Sequence, residues 1–329
     1  MKKQCLILAL AAVGCAQAET LWVDGVSQSG GWSDYNKVNP NDKGDGDNFL
    51  CWAAAASNVI NWWQNRYVIP ANAPTGEGIW STFKSSVNAD TGGNAMGAMQ
   101  WWLTGWYSND GSADAKQYAG WGMGSTPITN ETIHQTEYFE GYYRYLEDSL
   151  ISDYSNPWVD NLKRFMGYEN ASAQVGGLEA LHASVSTTLK DAIAGGAGVT
   201  VSLLGNQGGH AATLWGAEFS DDGMLTGLWL TDSDDNQYSQ YQDVGLFYAS
   251  LGEAPVTLTS TYTDGTTETK DYYQLTTEHG WYGNDTYLSG FEFFYTSVSD
   301  TWGLALVPEP ATCTLSLLTL VALAARRRR

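Results

Sequence analysis

The chain has 329 residues, of which 36 are acidic and 16 are basic, so its formal net charge is -20 at pH 7. This excess of negative charge repels nucleic acid and anionic membrane surfaces, and neither is expected as a partner. A basic protein surface is favoured instead. With 43% hydrophobic residues, including 15 Trp and 19 Tyr, the chain can bury one sizeable core without disulfides.

Residues 1–18 have the three parts of a secretory signal peptide. Two basic residues, Lys2 and Lys3, precede an apolar run, and the small-residue motif Ala16-Gln17-Ala18 follows it. We therefore expect cleavage after this motif and export of the mature chain to the periplasm, the outer surface or the medium. Acylation of Cys15, as in a lipoprotein, is the alternative interpretation of the same segment.

Residues 307–329 form a second candidate sorting segment. The motif Val307-Pro308-Glu309-Pro310 precedes an apolar run over 311–325, and four arginines follow. The run is shorter than the roughly 20 residues of a stable transmembrane helix. This order resembles a PEP-CTERM sorting signal, which implies an exosortase-type processing enzyme and transient membrane association, in a bacterium with an outer membrane. A plain C-terminal membrane anchor is the alternative.

Cys51 is the one cysteine outside these terminal segments, whereas exported domains normally use cysteines in pairs. A loop rich in Gly, Asp and Asn over 39–47 precedes a predicted helix over 49–67, in which apolar residues recur three and four positions apart. Cys51 would lie in its first turn, behind the cap candidates Asp47 and Asn48. The positive end of the helix dipole stabilises a thiolate, so Cys51 is a nucleophile candidate.

The rest of the chain supplies the other predicted elements. Residues 68–175 show helical patches but no chemistry that the residue pattern reveals. The predicted elements are helices over 93–106, 131–150 and 177–193, a strand over 198–204, a hairpin over 210–232, and strands over 256–263, 272–277 and 290–298. Helices first and antiparallel strands later predict an α+β fold.

A nucleophilic thiol needs a histidine, and the chain offers His134, His182, His210 and His279. His210 follows two glycines at the start of the predicted hairpin. Asp232 ends the paired strand, so the two side chains can lie side by side. A carboxylate in that position fixes the tautomer of the histidine and stabilises its positive charge. His279, in a predicted loop, is the main alternative.

Three blocks of residues then suggest a family. They contain Trp22, Gly25, Val26, Gly31, Trp32, Asp34 and Lys37; Leu50, Cys51, Ala53, Ala54, Asn58, Trp62 and Trp63; and His210, Trp215, Gly216, Ala217, Phe219, Thr231, Asp232, Ser233, Asp234 and Asn236. In order and spacing the chain resembles the IdeS/Mac immunoglobulin-degrading cysteine endopeptidases over about 20–67 and 190–297. The resemblance implies a papain-like fold for residues 19–306, with the cysteine in an N-terminal helical part and the histidine and aspartate in a C-terminal antiparallel sheet.

The resemblance also implies roles for five residues. Cys51 is the nucleophile, His210 the general base and acid, and Asp232 the residue that orients the histidine. Asp234 is similar to a second acidic residue near the family's site. Lys37 is similar to a lysine that, with the backbone N–H of the nucleophile, stabilises the oxyanion.

Two features depart from the family pattern. The loop before Cys51 is longer than the family's, which makes Lys43 an alternative to Lys37. Trp52 replaces a small glycine after the nucleophile, and its ring is expected to reshape the cleft.

The acidic cluster that begins at Asp232 and Asp234 also has a calcium-loop interpretation, with Asp235 and Asn236 as further ligands. Gln237 stands where such a loop needs glycine, and Asp243 would replace its closing glutamate. We therefore expect no metal and no organic cofactor.

The sequence as a whole predicts an exported cysteine endopeptidase that hydrolyses peptide bonds in extracellular proteins, with immunoglobulin as the substrate that the resemblance implies. The alternative is a non-catalytic cell-surface or glycan-binding module, which the many aromatic residues suggest because aromatic rings can bind sugars.

Overall fold

The computed structural model describes residues 19–37, 50–66, 80, 95–96, 98–99, 166–205, 208–234, 245–261, 265–277 and 285–295. Both predicted terminal segments lie outside these ranges, as do Lys43, the cap candidates Asp47 and Asn48, and the histidines His134 and His279. Nearly all of the two helical patches predicted in the middle of the chain also lie outside them.

The described part of the chain is mostly β-structure, with nine strands and two helices of defined bounds. The strands are β1 (Glu19–Trp22), β2 (Met166–Asn170), β3 (Ala173–Gln174), β4 (Ala197–Gly205), β5 (Gly208–Phe219), β6 (Leu225–Thr231), β7 (Phe247–Thr261), β8 (Thr267–Thr276) and β9 (Thr286–Tyr295). The helices are α1 (Cys51–Gln64) and α2 (Leu178–Ala194).

Six of the strands close an antiparallel barrel in the order β4-β5-β6-β7-β8-β9. The ring closes because β9 pairs with β4 through contacts such as Val201 with Phe291, and with β8 through Tyr273 with Leu288. The three short strands join this ring from outside: β1 pairs with β5, β2 with β9 and β3 with β8.

The predicted α+β, papain-like fold is therefore wrong. The order of helices and strands along the sequence suggested separate helical and sheet parts, but the first described element, β1, is a strand of the same sheet as the barrel. Barrel closure depends on pairing between β9 and strands far away in the sequence. Local periodicity carries no information about such pairs.

Helix α1 confirms the helix predicted over 49–67, with bounds Cys51–Gln64. Its four consecutive alanines from Ala53 have the highest helix propensity of any residue. Every residue from Trp52 to Ile60 is buried, so the helix lies in the core.

The helix packs against β4 and β5. Gly198 makes the close approach possible, because a Cβ there would lie 2.7 Å from Val59 and 2.9 Å from Trp62. Thr213 of β5 accepts a hydrogen bond from Asn58 at 3.0 Å and donates to the Ala55 carbonyl at 3.3 Å. The nucleophile candidate at the first residue of α1 is thereby held against the barrel. Neither described helix has the length and apolar character that crossing a membrane requires.

Candidate active site

Cys51 is the first residue of α1 and a half-buried free thiol. Leu50 is the N-cap and supplies no side-chain cap; its carbonyl accepts from the N–H groups of Ala53 and Ala54, both at 3.0 Å. None of the hydrogen bonds among the described residues uses the Cys51 N–H. First-turn N–H groups have no partner within their own helix, so this donor is available beside the sulfur.

The Cys51 thiol is hydrogen-bonded to the side chain of His210 on β5. On the other side of the imidazole ring, Nε2 donates to Asp232 Oδ1 at 2.7 Å. Asp232 directly follows β6 and is fully buried. Because Nε2 is engaged with Asp232, Nδ1 is the nitrogen that remains for the thiol, and the three side chains form a continuous Cys-His-Asp arrangement.

A second charged pair borders this arrangement. Lys37 Nζ lies 2.5 Å from Asp234 Oδ1, and both side chains are buried. The second oxygen, Asp234 Oδ2, is 3.9 Å from His210 Nδ1. The Asp234 N–H also donates to Asp232 Oδ1 at 3.1 Å. The two carboxylates therefore lie on either side of the same imidazole.

The segment that carries Lys37 is fixed by hydrogen bonds to α1, to β6 and to Ser233 just after β6. Its Lys37 N–H donates to the Ser233 carbonyl at 2.9 Å. The Tyr35 N–H donates to Asn58 of α1 at 2.8 Å, and Thr231 of β6 donates to the Ser33 carbonyl at 3.0 Å. These bonds place the ammonium beside Asp234, close enough to Cys51 to affect its ionisation.

The electrostatic environment favours a thiolate and an imidazolium. Burial raises the pKa of Cys51, but the neighbouring His210 and Lys37 charges outweigh it and leave that pKa below its ordinary value. Burial lowers the pKa of His210, but Asp232 and Cys51 raise it well above the ordinary value. Both shifts favour the form of the pair in which the thiol has lost its proton and the imidazole has gained one.

Burial also affects the pKa values of Lys37 and Asp232. Burial disfavours the charged form of Lys37, yet Asp234 and Cys51 raise its pKa, so the side chain stays an ammonium. Burial raises the pKa of Asp232. The positive charge of His210 lowers it, the negative charge of Asp234 raises it further, and the pKa remains above its ordinary value.

The five residues predicted from the sequence, Cys51, His210, Asp232, Asp234 and Lys37, are thus brought together. The remaining described histidine is not part of the cluster. His182 lies on α2, where its Nε2 is 2.9 Å from the Leu225 carbonyl and its ring packs against Tyr273 with centroids 4.5 Å apart. His182 is therefore a structural residue.

The Trp52 ring was expected to lie beside the nucleophile and reshape the cleft, but it is buried. Its side chain is only 1% exposed and belongs to the hydrophobic core. The ring is therefore part of the interior.

The described residues give no support to the calcium-loop interpretation. Asp235, Asn236, Gln237 and Asp243 lie outside them, and Asp234 is paired with an ammonium. Calcium takes six to eight oxygen ligands, far more than the two carboxylates here supply.

The sequence analysis gave no role to the groups that hold the site in place. Asn58 bridges Tyr35 and Thr213, and Thr231 accepts from Trp215 at 2.8 Å while donating to Ser33. The available signal was Asn58 itself, an amide among the residues of a predicted helix that is mostly apolar. Buried amides are hydrogen-bonded, so such a residue indicates a partner that the helix alone does not provide.

In the comparison with known families, residues 170–253 match the family described as Mac 1. This is about a quarter of the chain, and it includes His210, Asp232 and Asp234 but neither Cys51 nor Lys37. No curated protein matches the chain. The chain is therefore similar to the Mac 1 family in the segment that carries the histidine and the two aspartates.

The resemblance as drawn from the sequence is wrong in three respects. The resemblance covered two regions of the chain, whereas the family match is limited to 170–253. It also implied a papain-like fold, whereas the structure is mostly a β-barrel. It also included a PEP-CTERM signal at the C-terminus, which the comparison does not show.

Proposed function

We propose that this protein is a cysteine endopeptidase that hydrolyses peptide bonds in extracellular proteins. The observation that carries the proposal is the hydrogen-bonded series from the Cys51 thiol through His210 to Asp232, with 2.7 Å between His210 and Asp232. The similarity to the Mac 1 family over 170–253 is compatible with a peptidase.

In the proposed reaction, the Cys51 thiolate attacks the substrate carbonyl and forms a tetrahedral intermediate. His210 then donates its Nδ1 proton to the leaving amine, which departs and leaves an acyl-enzyme. A water molecule enters and loses a proton to the same nitrogen as it attacks the thioester. Asp232 holds the ring in the required tautomer throughout and stabilises its charged form.

The developing oxyanion needs donors that are already in place. The Cys51 N–H is one, since no hydrogen bond among the described residues uses it. Lys37 is the second, because its ammonium lies beside Asp234 and close enough to Cys51 for the two groups to affect each other's ionisation. In this role the ion pair also holds the long lysine side chain in position before substrate arrives.

We further propose that the substrate is a protein met outside the cytoplasm, because an N-terminal export segment is predicted. The net charge of -20 favours substrates with a basic surface. Immunoglobulin is the first protein to test, with mucin and casein beside it.

The rival proposal, a glycan-binding module, depended on the abundance of tryptophan. Among the described residues, Trp52, Trp62, Trp63, Trp80 and Trp215 are buried. Since these rings serve the core, the tryptophan content gives little support for a binding surface.

One experiment separates the two proposals. The mature chain, residues 19–306, is treated with a thiol-reactive peptidyl inhibitor, and the adduct is located by mass spectrometry. A peptidase gives labelling of Cys51 that is lost in His210→Ala and retained in His182→Ala. Labelling that is equal in all three proteins contradicts the peptidase proposal, because it shows no activation by His210.

A further inference from the structure

Asn58 is a buried amide in the middle of α1, and its side chain reaches two other parts of the chain. Its Oδ1 accepts from the Tyr35 N–H at 2.8 Å, and its Nδ2 donates to Thr213 Oγ1 of β5 at 3.0 Å. A backbone N–H can only donate, so the amide oxygen must face Tyr35 and the side chain has one orientation. Asn58 therefore joins α1 both to β5 and to residues 33–37, the lysine segment.

Each of the three joined parts carries a residue of the candidate site. Cys51 is the first residue of α1, His210 lies on β5, and Lys37 is the last residue of the lysine segment. Asn58 lies about two turns of helix away from Cys51. At that distance its effect on the site must come from the positions of the parts that it joins.

We propose that Asn58 is a positioning residue, which holds the lysine segment against α1 and so fixes the Lys37 ammonium relative to the Cys51 thiol. The catalytic consequence rests on the proposed peptidase function, whereas the consequence for the thiol does not.

One set of hydrogen bonds holds the lysine segment to α1. Asn58 accepts from the Tyr35 N–H, and one turn later Asn61 donates to Ser33 Oγ at 2.8 Å. Because both acceptor and donor belong to the helix that begins with Cys51, this set controls how far the segment lies from the thiol.

A second set holds the lysine segment to the end of β6. Thr231 donates to the Ser33 carbonyl at 3.0 Å, and the Lys37 N–H donates to the Ser233 carbonyl at 2.9 Å. Without the bonds to α1, this set still keeps Lys37 beside Asp234. Loss of Asn58 is therefore expected to change the distance between ammonium and thiol while the ion pair remains.

The residue type supports a role between elements. Asparagine favours a helix less than alanine does, because its amide competes for backbone hydrogen bonds. A buried amide is also costly unless its polar groups are hydrogen-bonded. Asn58 meets that requirement only through partners outside its own helix, so its contribution lies in joining α1 to them.

The charge that Asn58 positions acts on the thiol. Burial raises the pKa of Cys51, the positive charge of His210 lowers it, and the Lys37 ammonium lowers it further. Electrostatic interaction weakens with distance. If the lysine segment moves away from α1, the pKa of Cys51 should therefore rise.

The pH dependence of Cys51 alkylation measures this effect without a substrate. The full chain is treated with iodoacetamide, and mass spectrometry separates the Cys51 adduct from those of the terminal cysteines. In Asn58→Ala the midpoint should move to higher pH, in the direction of the shift in Lys37→Met and by no more. Ser57→Ala is the matched control and should keep the parent's midpoint, since its buried hydroxyl donates to the Ala53 carbonyl within α1 at 2.8 Å.

A double-mutant cycle tests whether Asn58 acts through Lys37. In the Lys37→Met background, Asn58→Ala should cause no further shift, because the charge that it positions is gone. A shift as large as in the parent would overturn the proposal, since Asn58 would then act through His210 or through the helix itself. If Lys37→Met does not fold, Lys37→Met/Asp234→Asn, which lacks both charges of the buried pair, is the background.

Variants of Thr213 replace Asn58→Ala if that variant does not fold, which circular dichroism shows. Thr213→Val has nearly the same shape but no acceptor for Asn58 Nδ2, so the midpoint should again move to higher pH. Thr213→Ser keeps the hydroxyl and should restore the parent's midpoint. A folded Thr213→Val with the parent's midpoint would then overturn the proposal.

Cleavage assays separate this proposal from the peptidase proposal. Asn58→Ala should lower kcat by up to about 10²-fold with little change in KM, as a small displacement of a group that acts in the transition state does. If the parent cleaves casein but Asn58→Ala keeps the parent's midpoint, the positioning role fails alone. If the midpoint shifts but the parent cleaves neither casein nor immunoglobulin, the positioning role stands and the peptidase proposal fails.

Discussion

Lys37 and Asp234 form a buried ion pair, 2.5 Å between Nζ and Oδ1, at the edge of the site. Each partner is needed to keep the other charged in an interior position, because a buried ion without a counter-ion is costly. The pair also gives the neighbouring thiol a nearby positive charge and the imidazolium a nearby negative one. Its contribution to the fold and its proposed contribution to catalysis can be measured separately.

Replacing Lys37 with methionine should affect both properties. The variant keeps the apolar stem but leaves Asp234 buried without its counter-ion, which costs about 3–5 kcal/mol of unfolding free energy. Loss of an oxyanion donor should lower kcat by about 10²-fold or more with little change in KM. Urea denaturation and steady-state kinetics measure the two effects.

The double variant Lys37→Met/Asp234→Asn distinguishes stability from catalysis, because it removes both charges of the pair. Stability should recover in large part while kcat stays low. A double variant that regained full activity would show that Lys37 is only a structural partner. Parallel kinetics on Lys43→Met test the alternative lysine, and loss there alone would assign the oxyanion role to it.

Cys51→Ala should abolish proteolysis with little change in the fold. The thiol is half-buried at the first residue of α1, so its removal takes away little packing. Cleavage of casein followed by gel electrophoresis, with circular dichroism on the same samples, checks both statements. Activity within a few-fold of the parent would exclude Cys51 as the nucleophile.

His210→Ala should be as damaging as loss of Cys51, because members of one catalytic unit fail together. Asp232→Asn should cost on the order of a hundredfold or more, since the amide no longer stabilises the imidazolium. His182→Ala should stay within a few-fold of the parent. The values of kcat/KM for the three variants test this assignment. A severe loss in His182→Ala alone would contradict it.

The rate of alkylation of Cys51 should depend on pH in a way that reports its neighbours. The pKa of the thiol lies below its ordinary value, so iodoacetamide should react rapidly already at pH values where an ordinary thiol is protonated. In His210→Ala the lowering by the imidazolium is lost while the effect of burial remains, so the midpoint should move to higher pH. An unchanged midpoint would contradict the ion pair between these residues.

Gly198→Ala should weaken the contact between α1 and the barrel. The new Cβ would approach Val59 to 2.7 Å and Trp62 to 2.9 Å, too close to be accommodated without movement of the helix. Overpacking of this kind costs roughly 1–3 kcal/mol, measurable by urea denaturation. Gly252→Ala is the matched control, since its Cβ would meet only ordinary contacts from 3.4 Å outward. Equal losses in both would mean that the contact with α1 is not the cause.

The sequence predicted more of the site than of the fold. Helix α1 and the hairpin β5–β6 follow from local patterns, and placing Cys51 in the first turn and His210 opposite the end of β6 needed only those elements. Barrel closure could not be predicted, because it depends on the pairing of β9 with β4 and β8. The short strands β1 and β3 have four and two residues, too few for an alternating pattern to be recognised.

The same limit applies to the ion pair of Lys37. Nothing near Lys37 in the sequence indicates that its partner is Asp234, because the hydrogen bond from the Lys37 N–H joins it to Ser233, which lies far along the sequence. A residue pattern can identify charged groups of the right type. Which of them meet is decided by tertiary structure.

The site is divided between the two halves of the chain. Cys51 precedes its histidine by about half of the total length, and both Asp232 and Asp234 come later still. A ribosome therefore completes the thiol-bearing helix long before the groups that activate it exist. During synthesis, and whenever the barrel is open, Cys51 is an ordinary thiol. Any reactivity that Cys51 owes to His210 and Asp232 therefore appears only once both halves of the chain have folded together.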